Sequence, residues 1–336
     1  RGIKQTLYND KILVLLNGIP AYDAAALEHY LDFIPLQSLQ RIEIIRGPGS
    51  TLYGTNAFAA VINLITKDDS QGKNLETYVE GGSFFTAETG FNYIEKKNDF
   101  LFNLAGSYKN NEGYTKKEVV DNANKISDIQ YDHDNSNIFS LFKYKAFTLQ
   151  MGGMAQKWTK FGPMPRHVFG NYGDILQGGR TWHNKAYING IFDKNLSDNF
   201  NLRATINYDF SDQQADIGQF GQSIYVNMLH IVDSTSAPDF YRFGGKLFGG
   251  TIQAMYSFSE KLSIITGFAG EHRVTTHLAD LYSDRNGDNL FQGSTKKMPF
   301  GVTDFGFYVN ADVKFGNLGY VAGIRATYLE ISEKMY

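Results

Sequence analysis

"IEIIRGPGSTLYGTNAFAAVINLITK", Ile42 to Lys67, opens on an apolar strand, breaks into glycine, proline and serine, and returns to an apolar run ending on a lysine. A glycine-rich loop after a strand raises the question of a phosphate cradle, and spacing answers it. A P-loop needs a G-x-x-x-x-G-K-[ST] run, so that backbone N–H groups wrap the phosphates and a lysine reaches them. Here Gly49 and Gly54 are followed by Thr55-Asn56, and no lysine comes before Lys67. A dinucleotide fingerprint needs G-x-G-x-x-G, and Leu52 stands where its third glycine belongs. The loop does not bind nucleotide.

Composition narrows the class. A net charge of −3 gives nucleic acid no electrostatic footing as a partner. The absence of cysteine excludes thiolate metal sites and disulfide frameworks. The chain holds 26 Phe and 21 Tyr, yet its mean hydropathy is −0.32. So many rings in so polar a chain suit a barrel that is apolar outside, polar inside and ringed by aromatics. No run of 18 apolar residues occurs, which argues against a membrane helix. The chain opens at Arg1 with no signal peptide, so an excised segment is expected.

The pattern changes near residue 68. Before it, Lys11–Leu16 (KILVLL) and Arg41–Ile45 (RIEII) read as strands around a mixed stretch, Ala24–Leu39, with room for one or two short helices. That is a small α+β unit. Asp68–Asn74 reads as a polar linker. Beyond it, Phe200, Leu202, Ala204, Ile206, Tyr208 and Phe210 alternate with Asn201, Arg203, Thr205, Asn207 and Asp209. Phe305–Phe315 and Leu318–Tyr328 repeat the pattern. Strict period two over about ten residues is the signature of a bilayer-spanning strand.

Short turns are expected near Glu95–Asp99, Tyr144–Ala146, Lys194–Asn199, Ser259–Lys261 and Gly316-Asn317. Long loops are expected over Asn110–Asn135, Lys157–Trp182, Ser211–Phe243 and Val274–Thr303. Short connections on one side and long ones on the other are the asymmetry of an outer-membrane barrel. About eleven strands fit after Leu75, an odd number that cannot close a single-chain bacterial barrel. The tail Ile331–Tyr336 loses the alternation, so about half the barrel is expected outside this chain.

The residues "KILVLLNGIP" (Lys11–Pro20) and "IPLQSLQRIEIIRGPGSTLYGTNAFAAVINLITK" (Ile34–Lys67) closely resemble the plug domain of TonB-dependent outer-membrane receptors. The family pattern is a strand ending in [DN]-G-[VIP]-P, then R-I-E-[VI]-x-R-G-P-x-S-x-x-Y-G-x-x-A-x-x-x-V-I-N-[IL]-I-T-[KR]. The chain departs from it mildly, with Asn17 for the commoner Asp and Ala59-Ala60 where Gly-Gly is frequent. The motif residues Gly47, Pro48, Gly49, Tyr53, Gly54 and Asn63 all match. Pro48 fixes φ, and the three glycines permit positive φ or close backbone approach, which makes a compact bend.

The resemblance implies a membrane β-barrel, antiparallel and of roughly 22 strands with about half present, around an N-terminal α+β plug. It divides the chain into residues 1–67 (the C-terminal part of the plug), 68–74 (linker) and 75–336 (the N-terminal half of the barrel). It also implies that arginines lock the plug to barrel glutamates. Arg46 matches the first, Arg1 of Arg1-Gly2 the second, and Glu43 lies beside them; Glu271 or residues beyond Tyr336 would be the partners.

The implied activity is energised import of a scarce ligand, most often a ferric siderophore. TonB of the inner-membrane complex would be the partner and outer-membrane lipid the solvent. Cobalamin, haem and oligosaccharide remain open within the fold; a passive porin or a surface adhesin are readings of another class. No cofactor, metal site or catalytic constellation is readable: there is no nucleophile elbow, carboxylate pair or zinc spacing.

Ligand-binding candidates fall in two groups. Tyr22, Asp23, His29 and Tyr30 lie between the motif halves, where the family presents its apical plug loops. Trp158, Arg166, His167, Arg180 and Trp182 interleave rings with cations, which suits an amphipathic anion as well as it suits an aromatic girdle. His167, His183, His230, His272 and His277 are scattered without metal-ligand spacing. "DRNGDNLF" (Asp284–Phe291) lacks the sixth-position glycine and closing glutamate of a calcium loop, and reads as an Asn-Gly turn.

Overall fold

A computed structural model describes residues 11–24, 29, 31–47, 49–54, 56–68, 72–120, 126–161, 167–168, 179–216, 219–220, 240–278, 300–315 and 318–333. The first unit is a four-stranded sheet of β1 (Ile12–Leu16), β2 (Ile19–Pro20), β3 (Leu39–Arg46) and β4 (Ala60–Thr66), in the order β2-β1-β4-β3. β1 is a continuous apolar run because both its faces are covered: Leu13 to Leu16 are buried. It turns into β2 through Asn17 and Gly18, both at positive φ (51° and 84°), as a two-residue type I′ connection requires. β1 and β4 pair in parallel, from Ile12 opposite Ala60 to Leu16 opposite Leu64. The stretch 24–39 supplies two 3-10 turns, Leu31–Phe33 and Leu36–Ser38.

The glycine loop makes a single helical turn, α1 (Ser50–Tyr53), which Gly54 ends at a φ of 78°. Gly47 takes a φ of 104°. Gly49 does not use positive φ: its φ is −104°, and its role is close approach, since a Cβ there would lie 2.9 Å from Val61 Cγ2.

Eleven long strands follow: β5 (Gly72–Gly82), β6 (Thr86–Lys97), β7 (Phe100–Val120), β8 (Ile126–Tyr144), β9 (Phe147–Phe161), β11 (Gly179–Ser197), β12 (Phe200–Asp216), β14 (Phe240–Ser259), β15 (Leu262–Leu278), β16 (Phe300–Phe315) and β17 (Leu318–Glu333). They form one antiparallel sheet in chain order. The two-residue strands β10 (His167–Val168) and β13 (Gln219–Phe220) pair with each other apart from it. Short turns fall at Asn98-Asp99, Lys145-Ala146, Asp198-Asn199 and Glu260-Lys261, as expected.

The expected long connections are shortened. β7 and β8 run to Val120 and from Ile126, inside the stretch read as loop, and the other three hairpins also extend past their expected ends. β17 continues through Ile331–Glu333, where the sequence pattern suggested that strand structure stops, and β5 begins at Gly72, inside the expected linker.

The alternation sets the faces. Ile206 is 54% exposed, whereas its neighbour Asn207 is 9% exposed; Phe305, Phe307 and Val309 are exposed and Tyr308 is buried. The plug sheet lies against the inner, polar face. Val14, Leu16, Phe33, Ile34 and Leu64 pack with Ile94, Leu101, Phe139, Leu141, Met154 and Tyr187 of the wall. A second cluster joins Leu13, Leu15, Tyr22 and Val61 to Leu247.

Candidate functional site at the plug–wall contact

The β1–β2 turn is the lower anchor. Asn17 Nδ2 donates to Gln150 Oε1 of β9 at 2.7 Å and to Thr66 Oγ1 at 3.0 Å, while its Oδ1 accepts the Thr66 N–H at 3.0 Å. An aspartate here could not donate to Gln150, so the departure from the family's commoner residue has a partner on the wall. Arg203 of β12 completes the anchor: Nη2 donates to the Asn17 carbonyl at 2.7 Å, and Nη1 pairs with Asp193 at 2.9 Å. Asn63 supports the same turn by accepting the Gly18 N–H at 2.9 Å.

The upper anchor grips Tyr22, Asp23 and Asp32. The Tyr22 hydroxyl donates to Glu271 of β15, and Arg273 Nε pairs with the same carboxylate at 2.8 Å. Burial first, then the Glu271 charge, pushes the Tyr22 phenol well above its ordinary range, so it stays a donor. Lys185 Nζ of β11 reaches the Tyr22 carbonyl at 2.8 Å and Asp209 Oδ2 of β12 at 2.7 Å. His183 Nε2 lies 3.5 Å from Asp23 Oδ2, both side chains being buried. Asn135 and Asn137 of β8 donate to the Asp32 carbonyl, and Gln156 of β9 donates to its carboxylate at 2.9 Å.

His29 stands edge-on to Tyr22, 6.0 Å between ring centroids. Burial pushes its imidazole down to about 4, and the Lys185 charge adds to this. The unfolded ring titrates near 6.5, so between these values the unfolded chain binds the extra proton and stability rises with pH. Docking of this segment is expected to be fully stable above pH 6.5 and to weaken by about 2–3 kcal/mol as pH falls toward 4. Denaturant titrations at pH 7.5 and 4.5 measure it. If His29→Gln shows the same decline as the parent, the ring is not its source.

α1 packs against β16 and β17. A Cβ at Gly54 would meet Arg325 Nη2 at 3.0 Å, and one at Gly306 would meet it at 2.3 Å, so both glycines make room for this guanidinium over the Tyr308 ring. Burial, then the Glu43 charge, raises the Tyr53 phenol.

Tyr22 and Asp23, two of the ligand-binding candidates, are buried and held by the wall, with His29 beside them. Trp158 faces inward, edge-on to His183 at 6.4 Å. Trp182 precedes the inward His183 and projects to the opposite face, so the two tryptophans do not share a pocket. Among the described residues, Arg46 is exposed and makes no ion pair, while Glu43 pairs with Arg41 at 2.8 Å and accepts from Asn63 at 3.3 Å. Glu271 is engaged by Tyr22 and Arg273, not by Arg46.

Arg1, Tyr30, Pro48, Arg166, His230 and Asp284–Phe291 lie outside the described residues, as do the side chains of His167, Arg180 and His277. Sequence reasoning missed Gln150, His183 and Lys185 as plug contacts, and Arg273 as the partner of Glu271. Their signal was present as polar residues on the inward phase of otherwise apolar strands.

The model of the TonB-dependent receptor plug domain matches residues 1–61. This is the fold of a TonB-dependent outer-membrane receptor. The siderophore receptor PirA from Acinetobacter baumannii superposes with a TM-score of 0.66 at 14% identity, over 97% of this chain and 51% of its own. A vitamin B12 transporter, BtuB, of Vibrio vulnificus is 28% identical over 152 residues, 45% of this chain and 24% of the relative. An iron-regulated outer membrane virulence protein of Vibrio cholerae is 62% identical over 37 residues, 11% of this chain and 6% of the relative. The chain thus spans about half the length of the solved receptor and a quarter or less of these two sequence relatives. The Vibrio cholerae relative is named as an outer membrane protein.

Proposed function

We propose that the protein carrying this chain binds a scarce ligand at the cell surface and imports it with energy supplied through TonB, and that the ligand is a ferric siderophore. The observation that carries the reading is the seating of the plug. Two polar anchors and an apolar cluster hold it on the wall, which supports a gate that opens only when work is done on the plug. A ligand held at nanomolar affinity sits about 12 kcal/mol deep, and its release needs such an input. The relatives named for siderophore and iron regulation favour iron; the one named for vitamin B12 keeps cobalamin as the alternative within the same fold.

Residues 1–67 act as the plug and 75–336 as barrel wall in this reading, joined by 68–74. Arg46, which makes no ion pair among the described residues, is assigned with Arg1 to locking the plug to the barrel. The inward Trp158 is the ligand candidate best placed on the wall; Arg166, His167 and Arg180 are kept as ligand candidates, and Tyr22 and Asp23 would reach ligand only after leaving Glu271 and His183.

The test is uptake of radioiron–siderophore complexes by iron-starved cells carrying the full-length gene, with and without a protonophore. Saturable uptake that the protonophore abolishes is expected. Uptake of labelled cobalamin alone would move the substrate assignment, and uptake indifferent to the protonophore would replace the receptor with a porin.

A further inference from the structure

The sequence contains the pairs Asn17-Gly18, Asn189-Gly190 and Asn286-Gly287. Asn-Gly is the dipeptide most prone to spontaneous deamidation, because a following glycine lets the backbone nitrogen approach the side-chain amide unhindered. Asn286 lies outside the described residues. Asn189 is fixed inside β11, paired with Asn207 on one side and Gln150 on the other. Asn17-Gly18 is placed differently: it forms the β1–β2 turn itself, at the contact between plug and wall.

In deamidation the Gly18 nitrogen attacks Asn17 Cγ. A bond forms between them, the Cγ–Nδ2 bond breaks, and Nδ2 leaves as ammonia with the proton from the Gly18 nitrogen. Water then opens the cyclic imide. Opening at Cγ gives aspartate; opening at the Asn17 main-chain carbonyl gives isoaspartate, with the backbone rerouted through the β-carbon.

The seated turn blocks each part of this reaction. Attack requires the Gly18 nitrogen to swing onto the same side of the Asn17 Cα–C bond as Cβ. Asn17 instead has a φ of 51°, in the left-handed region, where ψ is about +47° and that nitrogen lies opposite Cβ. The nucleophile is engaged, since the Gly18 N–H donates to Asn63 Oδ1 at 2.9 Å. The amide under attack is held away from it. Its Nδ2 donates to Gln150 Oε1 at 2.7 Å and to Thr66 Oγ1 at 3.0 Å, and its Oδ1 accepts the Thr66 N–H at 3.0 Å. Arg203 Nη2 donates to the Asn17 carbonyl at 2.7 Å, and a Cβ at Gly18 would lie 2.9 Å from the same nitrogen, so the guanidinium lies across the turn. Asn63 and Thr66 belong to the plug, whereas Gln150 and Arg203 belong to the wall.

We propose that Asn17 is a deamidation site that the seated plug holds closed and that opens when the β1–β2 turn leaves Gln150 and Arg203. Off the wall, the side chain loses its Gln150 acceptor and the main chain its Arg203 clamp, and the two-residue turn is free to leave the left-handed region. The products make the change lasting. Aspartate cannot donate to Gln150, and isoaspartate adds a methylene to the backbone of a turn whose length sets the β1–β2 register. Modification at Asn17 is then a chemical record of time spent unseated. The inference stands on the geometry of the turn and is independent of which solute the receptor carries.

Trypsin makes the site easy to read. Residues 12–41 are released between Lys11 and Arg41 and contain no other asparagine, and residues 186–194 carry Asn189 alone in the same way. The full-length receptor is aged in detergent at mildly alkaline pH, digested briefly at mildly acidic pH, and the two peptides are followed by mass and by separation of aspartate from isoaspartate. In the seated parent, Asn17 is expected to react at least ten-fold more slowly than in the same chain aged in denaturant. Equal rates would overturn the proposal without any variant. Arg203→Met and Gln150→Leu should each speed the reaction at Asn17 several-fold while Asn189 stays protected. No acceleration in either variant would show that the wall does not guard the turn, and acceleration at Asn189 as well would assign the reaction to unfolding of the wall; both would overturn the proposal. Receptor carrying isoaspartate at position 17 should also undock at lower denaturant than the unmodified fraction, and equal midpoints would overturn the claim that modification weakens seating.

Discussion

Lys185→Met is expected to weaken plug docking by about 3–5 kcal/mol. The ammonium lies 2.7 Å from Asp209 and 2.8 Å from the Tyr22 carbonyl, with the two side chains 2% and 9% exposed. Asp209 Oδ1 has no hydrogen-bond partner, so the lysine is the principal compensation for that charge among the described residues. Methionine fills the space but leaves a buried carboxylate unpaired, which costs far more than the pair contributes over an apolar replacement. Lys185→Met with Asp209→Leu should therefore recover most of the loss. Denaturant-induced undocking, followed by Trp158 fluorescence in a Trp182→Phe background, measures both. A loss under about 1 kcal/mol for the single variant would mean that the pair is hydrated and acts as a surface bridge.

Phe33→Ala should cost a similar 3–5 kcal/mol by a different route. Phe33 is 1% exposed, and its ring meets Tyr187 of β11 edge-on at 5.6 Å and 77°. Its neighbour Asp32 is fixed to the wall through Asn135, Asn137 and Gln156, so the loop cannot collapse into the space left behind. An uncollapsed cavity sits at the upper end of the range, and the lost ring pair adds about 1 kcal/mol. Phe33→Leu should retain more than half of the stability that alanine loses. Equal losses for leucine and alanine in the same undocking assay would assign the effect to the aromatic pair and not to volume.

The plug was legible because its pattern is local: the Asn17-Gly18 turn, the apolar β1 run and the glycine bend each state their conformation within a few residues. The membrane portions of the strands were legible because one face must be apolar. That constraint lapses beyond the bilayer. "NNEGYTKKEVV" in β7 is polar on both faces and pairs with β8 all the same, so period two vanished from a sequence that remains strand.

The contacts that hold the plug were the least legible part. Lys185 and Asp209 sit on different strands, and the register that brings them together, with Tyr187 opposite Asp209, is not written in either stretch alone. Trp158 and Trp182 looked alike because the count of two that separates their faces starts afresh on each strand. Tyr22 and Asp23 were placed by resemblance, which located the segment but not its burial.

The parallel pairing of β1 with β4 has a consequence for the order of assembly. Ile12 finds Ala60 only 48 residues later, whereas wall hairpins close across turns as short as Lys145-Ala146, with Tyr144 opposite Phe147. Sequence-local hairpins form fast, and a distant parallel pair pays a large loop-closure entropy first. The end of β4 is also tied to the wall beside it, through Lys67 to Glu76 and Asp68 to Lys143. The wall is therefore the template on which the plug sheet closes, and a nascent chain stalled before β9 would lack Gln150 and with it the surface that tells β1 where to stop.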